Sequence, residues 1–347
     1  MSATTLVGLD IGSTSIRAVE ATVSKDRPVI NNFGQVFLPP GTVVGGVVKD
    51  DRAVTSALRQ LWMSYTFSSK NVVLGVTHQQ VIVREIDVNN LPPRELRQAL
   101  PFLVRDVLPL PVEQALLDFY PLERAGKSKG KGGSDTIHGL LIAAPKEAVI
   151  DTVHAVEAAG LHVHDVDLSC FAALRASAHL AGDNEALVDI GAYGINIIVH
   201  RDGTPKIVRS IPRGGAEITK MVATRLGLTN AEAETVKCRV GLRAEESEEG
   251  AQVIAEAIRP LVSEIRGSFH YFSSAHPGQQ VQRLALVGGA ALLPGLPDLL
   301  TDELGVPTFL SDPLQRVHDL RKGGRHDVLA RFRSSAAVSI GLTLGAA

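Results

Sequence analysis

Asp10-Ile11-Gly12-Ser13-Thr14-Ser15-Ile16 near the start and Asp189-Ile190-Gly191-Ala192-Tyr193-Gly194-Ile195 past the middle are two versions of one short pattern. Each follows an apolar run, Leu6 to Leu9 and Ala186 to Val188, and each leads into another, which reads as strand, tight turn, strand. The glycine after Asp-Ile has no Cβ, so backbone N–H groups there can approach an anion closely. The aspartate ending the first strand can face the same anion through a bound cation. Two such turns held face to face would clamp the phosphates of a nucleotide together with its Mg²⁺.

A chain of 347 residues exceeds the usual size of one compact core, so two or more subdomains are expected. The 35 basic and 37 acidic residues nearly cancel, which excludes a nucleic-acid or membrane-surface field. Cys170 and Cys238 lie far apart without metal-ligand spacing, so a disulfide framework is excluded and a reducing compartment fits. Residues 1–30 show no export signal and no apolar run approaches the thickness of a bilayer, so a cytoplasmic location is expected.

Outward from the first turn, Thr5–Leu9, Ser15–Ala21 and Pro28–Leu38 carry strand-forming residues, with Lys25-Asp26-Arg27 as a turn. Asp50 or Asp51 is placed to cap a helix bearing Val54, Ala57, Leu58 and Leu61. Asn71–Val76 and Gln80–Ile86 are expected to pair across Thr77-His78. Beyond Asn89-Asn90-Leu91-Pro92-Pro93, a helix over Arg94–Val107 is expected to break near Leu100, ahead of Pro101. Strands at Leu116–Leu122 and Thr136–Ala143 flank the Gly/Lys/Ser loop Gly126–Ser134; a helix from Pro145 to Ala159 and a strand at Leu161–Val166 complete a small α+β unit. After the second turn, strands at Ile195–His200 and Pro205–Ile211 meet at Asp202-Gly203, and helices follow over Ala216–Leu226, Asn230–Val240 and Ala251–Phe272. Leu284–Val287 reads as a buried strand ending in Gly288-Gly289-Ala290, and a last helix is expected over Ser334–Ile340, ending at Gly341.

Taken in order, these turns resemble the actin-like ATPase fold shared by actin, sugar kinases, heat-shock chaperones and the division protein FtsA. The fold class this implies is α/β, two duplicated ribonuclease-H-like domains with an inserted small α+β subdomain. The helix–strand–strand–helix–strand unit is similar to the subdomain called 1C in FtsA and in the PilM family of type IV pilus assembly proteins. Arg84-Glu85-Ile86, Leu108-Pro109-Leu110-Pro111, Leu117-Asp118-Phe119 and Ala143-Ala144-Pro145-Lys146-Glu147 make the PilM family the closer resemblance. The implied division is residues 1–87, 166–184 and 327–347 for the first actin-like domain, 88–165 for the insertion and 185–326 for the second domain.

The resemblance implies ATP and Mg²⁺ as ligands, with Asp10 and Asp189 facing the metal through water. Gly12, Ser13 and Thr14, and on the other side Gly191 and Ala192, would hold phosphates. Gly214 and Gly215 match the ribose-side loop at a helix N-terminus, Glu234 and Lys237 the Glu-x-x-Lys that contacts ribose and base, and Gly288, Gly289 and Ala290 the loop against adenine. Two positions depart from the pattern: Arg17, which would still contact a phosphate through a planar fork instead of a point charge, stands where the family often has lysine, and Tyr193 and Gly194 replace hydroxyl residues. No clear base for water activation is present on the helix Leu168–Leu174; Asp167 is the candidate, so holding a nucleotide is expected ahead of hydrolysing it. The function implied is that of an ATP-binding scaffold of a type IV pilus or related secretion platform at the inner membrane. Its partner would be the cytoplasmic N-terminal segment of a PilN-like membrane protein, with pilus motor ATPases and platform proteins beyond. An FtsA-like division protein and a small-molecule kinase on the same fold are the alternatives. Three further signals carry simpler readings: Ala125-Gly126-Lys127-Ser128 as a hairpin loop, His162, His164 and Asp165 as exposed strand residues, and Cys170 as packing.

Overall fold

The structure, a computed structural model, describes residues 4–23, 28–122, 136–319, 329 and 332–345. The expected turn at Lys25-Asp26-Arg27 and the loop Gly126–Ser134, with its Gly-Lys-Ser, lie outside the described residues.

Strands β1 (Thr4–Ile11), β2 (Ser15–Val23) and β3 (Val29–Phe37) form an antiparallel meander. The ribbon of β4 (Val43–Val44) and β5 (Val47–Val48) precedes α1 (Asp51–Ser64), which Asp50 caps by accepting from the Ala53 amide. β6 (Asn71–Val76) enters parallel to β1. It does not pair with the next strand, β7 (Ile82–Asn89), as the sequence suggested. β6 is buried on both faces and sits as an inner strand between parallel neighbours, whereas β7 leaves for another sheet.

That small sheet has the order β7-β9-β8, formed with β8 (Ala115–Pro121) and β9 (Thr136–Pro145). Helix α2 (Pro93–Leu103) covers one face through Leu100, and Val104 beyond it packs on Leu141. The helix runs through Pro101 instead of breaking before it, and stops four residues earlier than expected. Pro101 lies in the last turn, where its missing N–H removes one bond while the Val104 amide still donates to the Leu100 carbonyl at 3.1 Å.

α3 (Lys146–Ala158) packs on α1, and β10 (His162–Leu168) joins β6 in the first sheet, although the sequence placed both in the inserted unit. Val149, Val156 and Leu161 find their apolar surroundings beside Val7, Leu9 and Leu58. After α4 (Ser169–Ser177), the second half repeats the plan of the first. β11 (Asn184–Ile190), β12 (Ile195–Arg201) and β13 (Thr204–Ile211) form a meander. Helices α5 (Gly215–Leu226), α6 (Asn230–Val240) and α7 (Glu248–Ala275) lead to β14 (Arg283–Val287), which lies parallel to β11 as β6 does to β1. α8 (Leu296–Leu304), β15 (Thr308–Leu310) and β16 (His318–Asp319) follow, and β16 returns to the first sheet beside β3.

The closing helix α9 (Ala337–Gly345) lies with α4 between the two sheets. Leu6 and Val73 from one sheet and Leu187, Ile198 and Val287 from the other share a core with Ala172, Leu174, Val338 and Leu342 of these helices. α9 does not end at Gly341. It continues because the glycine is needed for contact: a Cβ there would stand 1.7 Å from the Ala172 carbonyl oxygen. Gly8 of β1 is held as tightly, its Cβ position lying 2.0 Å from the Ser339 carbonyl oxygen.

Two glycine substitutions separate propensity from packing. Gly267→Ala in α7, where a Cβ meets nothing within 4 Å, should stabilise by ~0.5–1 kcal/mol. Gly341→Ala, with the same gain in propensity, should instead lower the melting temperature through a loss of about 2–4 kcal/mol.

Candidate functional site

Side chains alternate across a strand, so Leu6, Gly8 and Asp10 share the face of β1 that meets α9, while Val7 and Leu9 face α1 and α3. The same parity in β11 puts Leu187 and Asp189 inward and Val188 and Ile190 into the other core. The two carboxylates therefore project into one cleft from the C-terminal ends of matching strands. Both turns close alike: the Gly12 amide donates to the Ser15 carbonyl at 3.0 Å, and the Gly191 amide to the Gly194 carbonyl at 2.9 Å. Ser13, Thr14 and Tyr193 lie along the cleft, with Thr14 and Tyr193 exposed.

Opposite Asp10 in the β1–β2 register stands Arg17, its Nη1 3.7 Å from Asp10 Oδ2, with both side chains under 15 % exposed. Opposite Asp189 in β11–β12 stands Asn196, which the sequence reading missed. Its signal was the spacing, seven residues after the aspartate in both halves. Burial raises the Asp10 carboxyl above its usual range, against the pull of Arg17. Burial, reinforced by the negative charge of Asp10, pushes Asp189 up to about 6, against a hydrogen bond from Asn196 and the attraction of Arg17.

The expected adenine loop is adjacent. Gly288 has φ 92°, and a Cβ on it would stand 2.4 Å from Asp189 Oδ1, so the loop lies directly on the second turn. A Cβ on Gly289 would lie 3.9 Å from Arg17 Nη2, and one on Gly215 would lie 2.8 Å from Ala290 Cβ. Residues 10, 17, 189, 215 and 288–290 thus converge.

Three expectations change in detail. The N-terminus of α5 does not present free amides, because Gly215 and Ala216 donate at 2.9 Å to the carbonyls of Gly191 and Ala192. Gly214 permits this approach, since a Cβ there would meet the Gly191 oxygen at 2.5 Å. Lys237 is buried, and its Nζ donates to Gly215 O (3.2 Å), Thr219 Oγ1 (2.9 Å) and Glu234 Oε2 (2.7 Å). It braces α5 against α6 and leaves Glu234 half-exposed. Burial works to raise the Glu234 carboxyl, but its hydrogen bonds from Lys237 and Thr219 bring it below the usual range. Asp167, the candidate base, is ion-paired with Arg175, whose Nε also donates to the Gly341 carbonyl. Gln79, for which the sequence offered no signal, donates from Nε2 to the Tyr193 carbonyl at 3.3 Å and links the loop after β6 to the second turn. Cys170 packs between the sheets and burial pushes its thiol up to about 12; His162 and His164 are exposed on β10.

The site suits a phosphate-bearing ligand: the Arg17 Nε and the Ser15 hydroxyl are buried without a hydrogen-bond partner, and the glycine cradle is open at Gly289. A divalent ion fits as an outer-sphere companion of that ligand, because Arg17 already stands against Asp10. Among the described residues no group of three or more His, Cys, Asp or Glu could hold a metal by itself.

The model of the type IV pilus assembly protein PilM family matches residues 8–347. A chain of a solved PilM–PilN type IV pilus biogenesis complex superposes with a TM-score of 0.86, at 27% identity, covering 98% of both chains. MreB 5 of Spiroplasma citri, solved bound to AMPPNP, superposes with a TM-score of 0.55 at 12% identity over 99% and 96% of the two chains, which shows the actin-like fold. The cell division protein FtsA of Bacillus subtilis (strain 168) is 27% identical over 258 residues, 68% of this chain and 58% of that protein.

Asp189 holds its proton more tightly folded than unfolded. Its contribution to stability is therefore greatest below about pH 4 and is lost as pH rises through about 6. Asp189→Asn should stabilise by about 2 kcal/mol at pH 7.5, with no gain near pH 4, read from urea midpoints at the two pH values.

Proposed function

The chain belongs to the type IV pilus assembly protein PilM family, and from that membership we propose an ATP-binding scaffold of the inner-membrane pilus platform. The observation that carries the reading is the likeness over 98% of the chain, inserted unit included, to a chain solved in a PilM–PilN complex. Its partner is the cytoplasmic N-terminal segment of a PilN-like membrane protein, held in the groove between the first domain and the inserted unit. Exposed Leu116 and Tyr120 on β8, an edge strand of its sheet among the described residues, support a peptide site there. None of the described helices is long and apolar enough to cross a membrane, so the platform is reached through that partner, and motor ATPases and other platform proteins follow from the same role.

ATP occupies the cleft. Amides and hydroxyls of Ser13 and Thr14, with the amide of Ala192, receive its phosphates, in turns that the Gly12 and Gly191 amides hold closed. Glu234 receives the ribose beside the loop Gly214-Gly215, with Lys237 holding it in place, and Gly288, Gly289 and Ala290 lie against the base. Mg²⁺ travels with the nucleotide and meets Asp10 and Asp189 through water. Holding is favoured over turnover, because Asp167 is already committed to Arg175. Binding closes the two halves and changes how the partner segment is held.

Calorimetric titration of the whole chain with ATP and Mg²⁺ should give saturable binding. Gly289→Val should weaken it at least about tenfold, or 1.4 kcal/mol. This variant is a clean probe because a Cβ there meets no protein atom closer than 3.9 Å. Unchanged affinity would refute the site. A synthetic PilN-type N-terminal peptide should be captured more strongly with ATP present; no capture in either condition would sink the partner assignment.

A further inference from the structure

Each half carries a row of three side chains that ends at its cleft carboxylate. In the first sheet Asp10, Arg17 and Gln35 stand abreast on β1, β2 and β3. In the second, Asp189, Asn196 and Ser210 stand abreast on β11, β12 and β13. Register partners on neighbouring strands share a face, so the members of a row can touch in sequence. The rows differ in charge. A guanidinium stands against Asp10, with Arg17 Nη1 3.7 Å from Asp10 Oδ2, whereas the side-chain hydrogen bond that Asp189 receives comes from the neutral amide of Asn196. Asn196 is buried, and its Oδ1 accepts from the Ser210 hydroxyl at 2.8 Å. A side-chain amide accepts at its oxygen and donates from its nitrogen. With the oxygen turned to Ser210, the nitrogen is turned to Asp189, and the donors run one way along the row, from Ser210 to Asn196 to Asp189.

We propose that Asn196, itself held by Ser210, is the positioning residue that aims the Asp189 carboxylate at the hydrated Mg²⁺ of the nucleotide; the inference rests on the ATP-binding reading above. The terminal torsion of an aspartate is broad, so a carboxylate without a fixed neighbour turns freely. A donor that is locked in its own place limits that turning. An ion pair would fix the group as well, but it would offset the charge that a cation needs. A neutral amide fixes Asp189 and leaves its charge in place. Gly288 confines the same carboxylate from another side, since a Cβ on that glycine would stand 2.4 Å from Asp189 Oδ1. Ser210 sits two strands away from Asp189 and acts only through Asn196. Loss of its hydroxyl leaves a buried amide oxygen without its donor and frees the amide to rotate.

The test is calorimetric titration of ATP into the whole chain at about pH 8, above the value of about 6 to which burial lifts Asp189, so that protonation plays no part. The wild type, Asp189→Asn, Asn196→Leu, Ser210→Ala and Ser210→Thr are titrated in MgCl₂ and in EDTA, each after a thermal melt. The wild type should bind at least about tenfold more tightly in MgCl₂, a difference of 1.4 kcal/mol. Asp189→Asn and Asn196→Leu should cut that ratio to about threefold or less, weakening binding in MgCl₂ more than in EDTA. Ser210→Ala should fall between, and Ser210→Thr, which keeps the hydroxyl, should restore the wild-type ratio. Equal wild-type affinity in the two buffers, a wild-type ratio in a folded Asn196→Leu, or a loss that is the same in both buffers would overturn the role of Asn196 and leave the ATP site standing. No wild-type binding in either buffer would overturn the ATP reading and this inference with it. If Asn196→Leu does not fold, the serine pair decides, and a Ser210→Ala ratio equal to that of Ser210→Thr overturns the proposal.

Discussion

Backbone meets backbone where α9 crosses α4 and β1, and the rest of the molecule is arranged around that contact. Gly341 against the Ala172 carbonyl and Gly8 against the Ser339 carbonyl leave no room for a single methyl group. Two thin helices can therefore fill the space between two sheets, and both sheets bury their inner faces on the same apolar layer. Strand parity does the rest. Once Leu6 and Leu187 face that layer, Asp10 and Asp189, four and two residues later, must face it too. The carboxylates meet because the sheets share a core.

Within that symmetric frame the chemistry is unequal. The first turn has a hydroxyl pair and a guanidinium; the second has an amide, a carboxylate raised by burial, and amide acceptors already used to seat α5. Lys237, which resembles a ligand contact in the sequence, is spent on bracing α5 against α6. The second turn is thus held from behind by α5, while the first supplies the side-chain donors.

The parts of the fold that were legible are those decided by local chemistry. The Asp-Ile-Gly turns, the Asp50 cap, the Asp202-Gly203 hairpin and the apolar face of α7 each follow from a few neighbouring residues. What the sequence hid depends on distant partners. Asn71–Val76 and the strand after it look like a hairpin until β1 and β10 claim the former and β9 the latter. Gly341 looks like a helix end, because nothing in its vicinity announces Ala172, 169 residues earlier, as its neighbour. The nearness of Asp10, Asp189 and the Gly288–Ala290 loop was legible for the same reason as the turns, since it follows from strand parity and a glycine that admits close approach. Gln79 and Asn196 were not, since a lone amide side chain has meaning only once its facing group is known.

The bond from Gln79 to the Tyr193 carbonyl crosses from one half to the other at the level of the turns. A neutral hydrogen bond of this kind contributes about 1 kcal/mol, less than twice the thermal energy. Such a link breaks and re-forms spontaneously, and it carries almost no memory of either state. On the ATP-binding reading proposed above, a ligand gripping the tip of the second turn only slightly better in one arrangement would be enough to shift this contact, so any responsiveness at the turns would come from the weakness of the link and not from its strength.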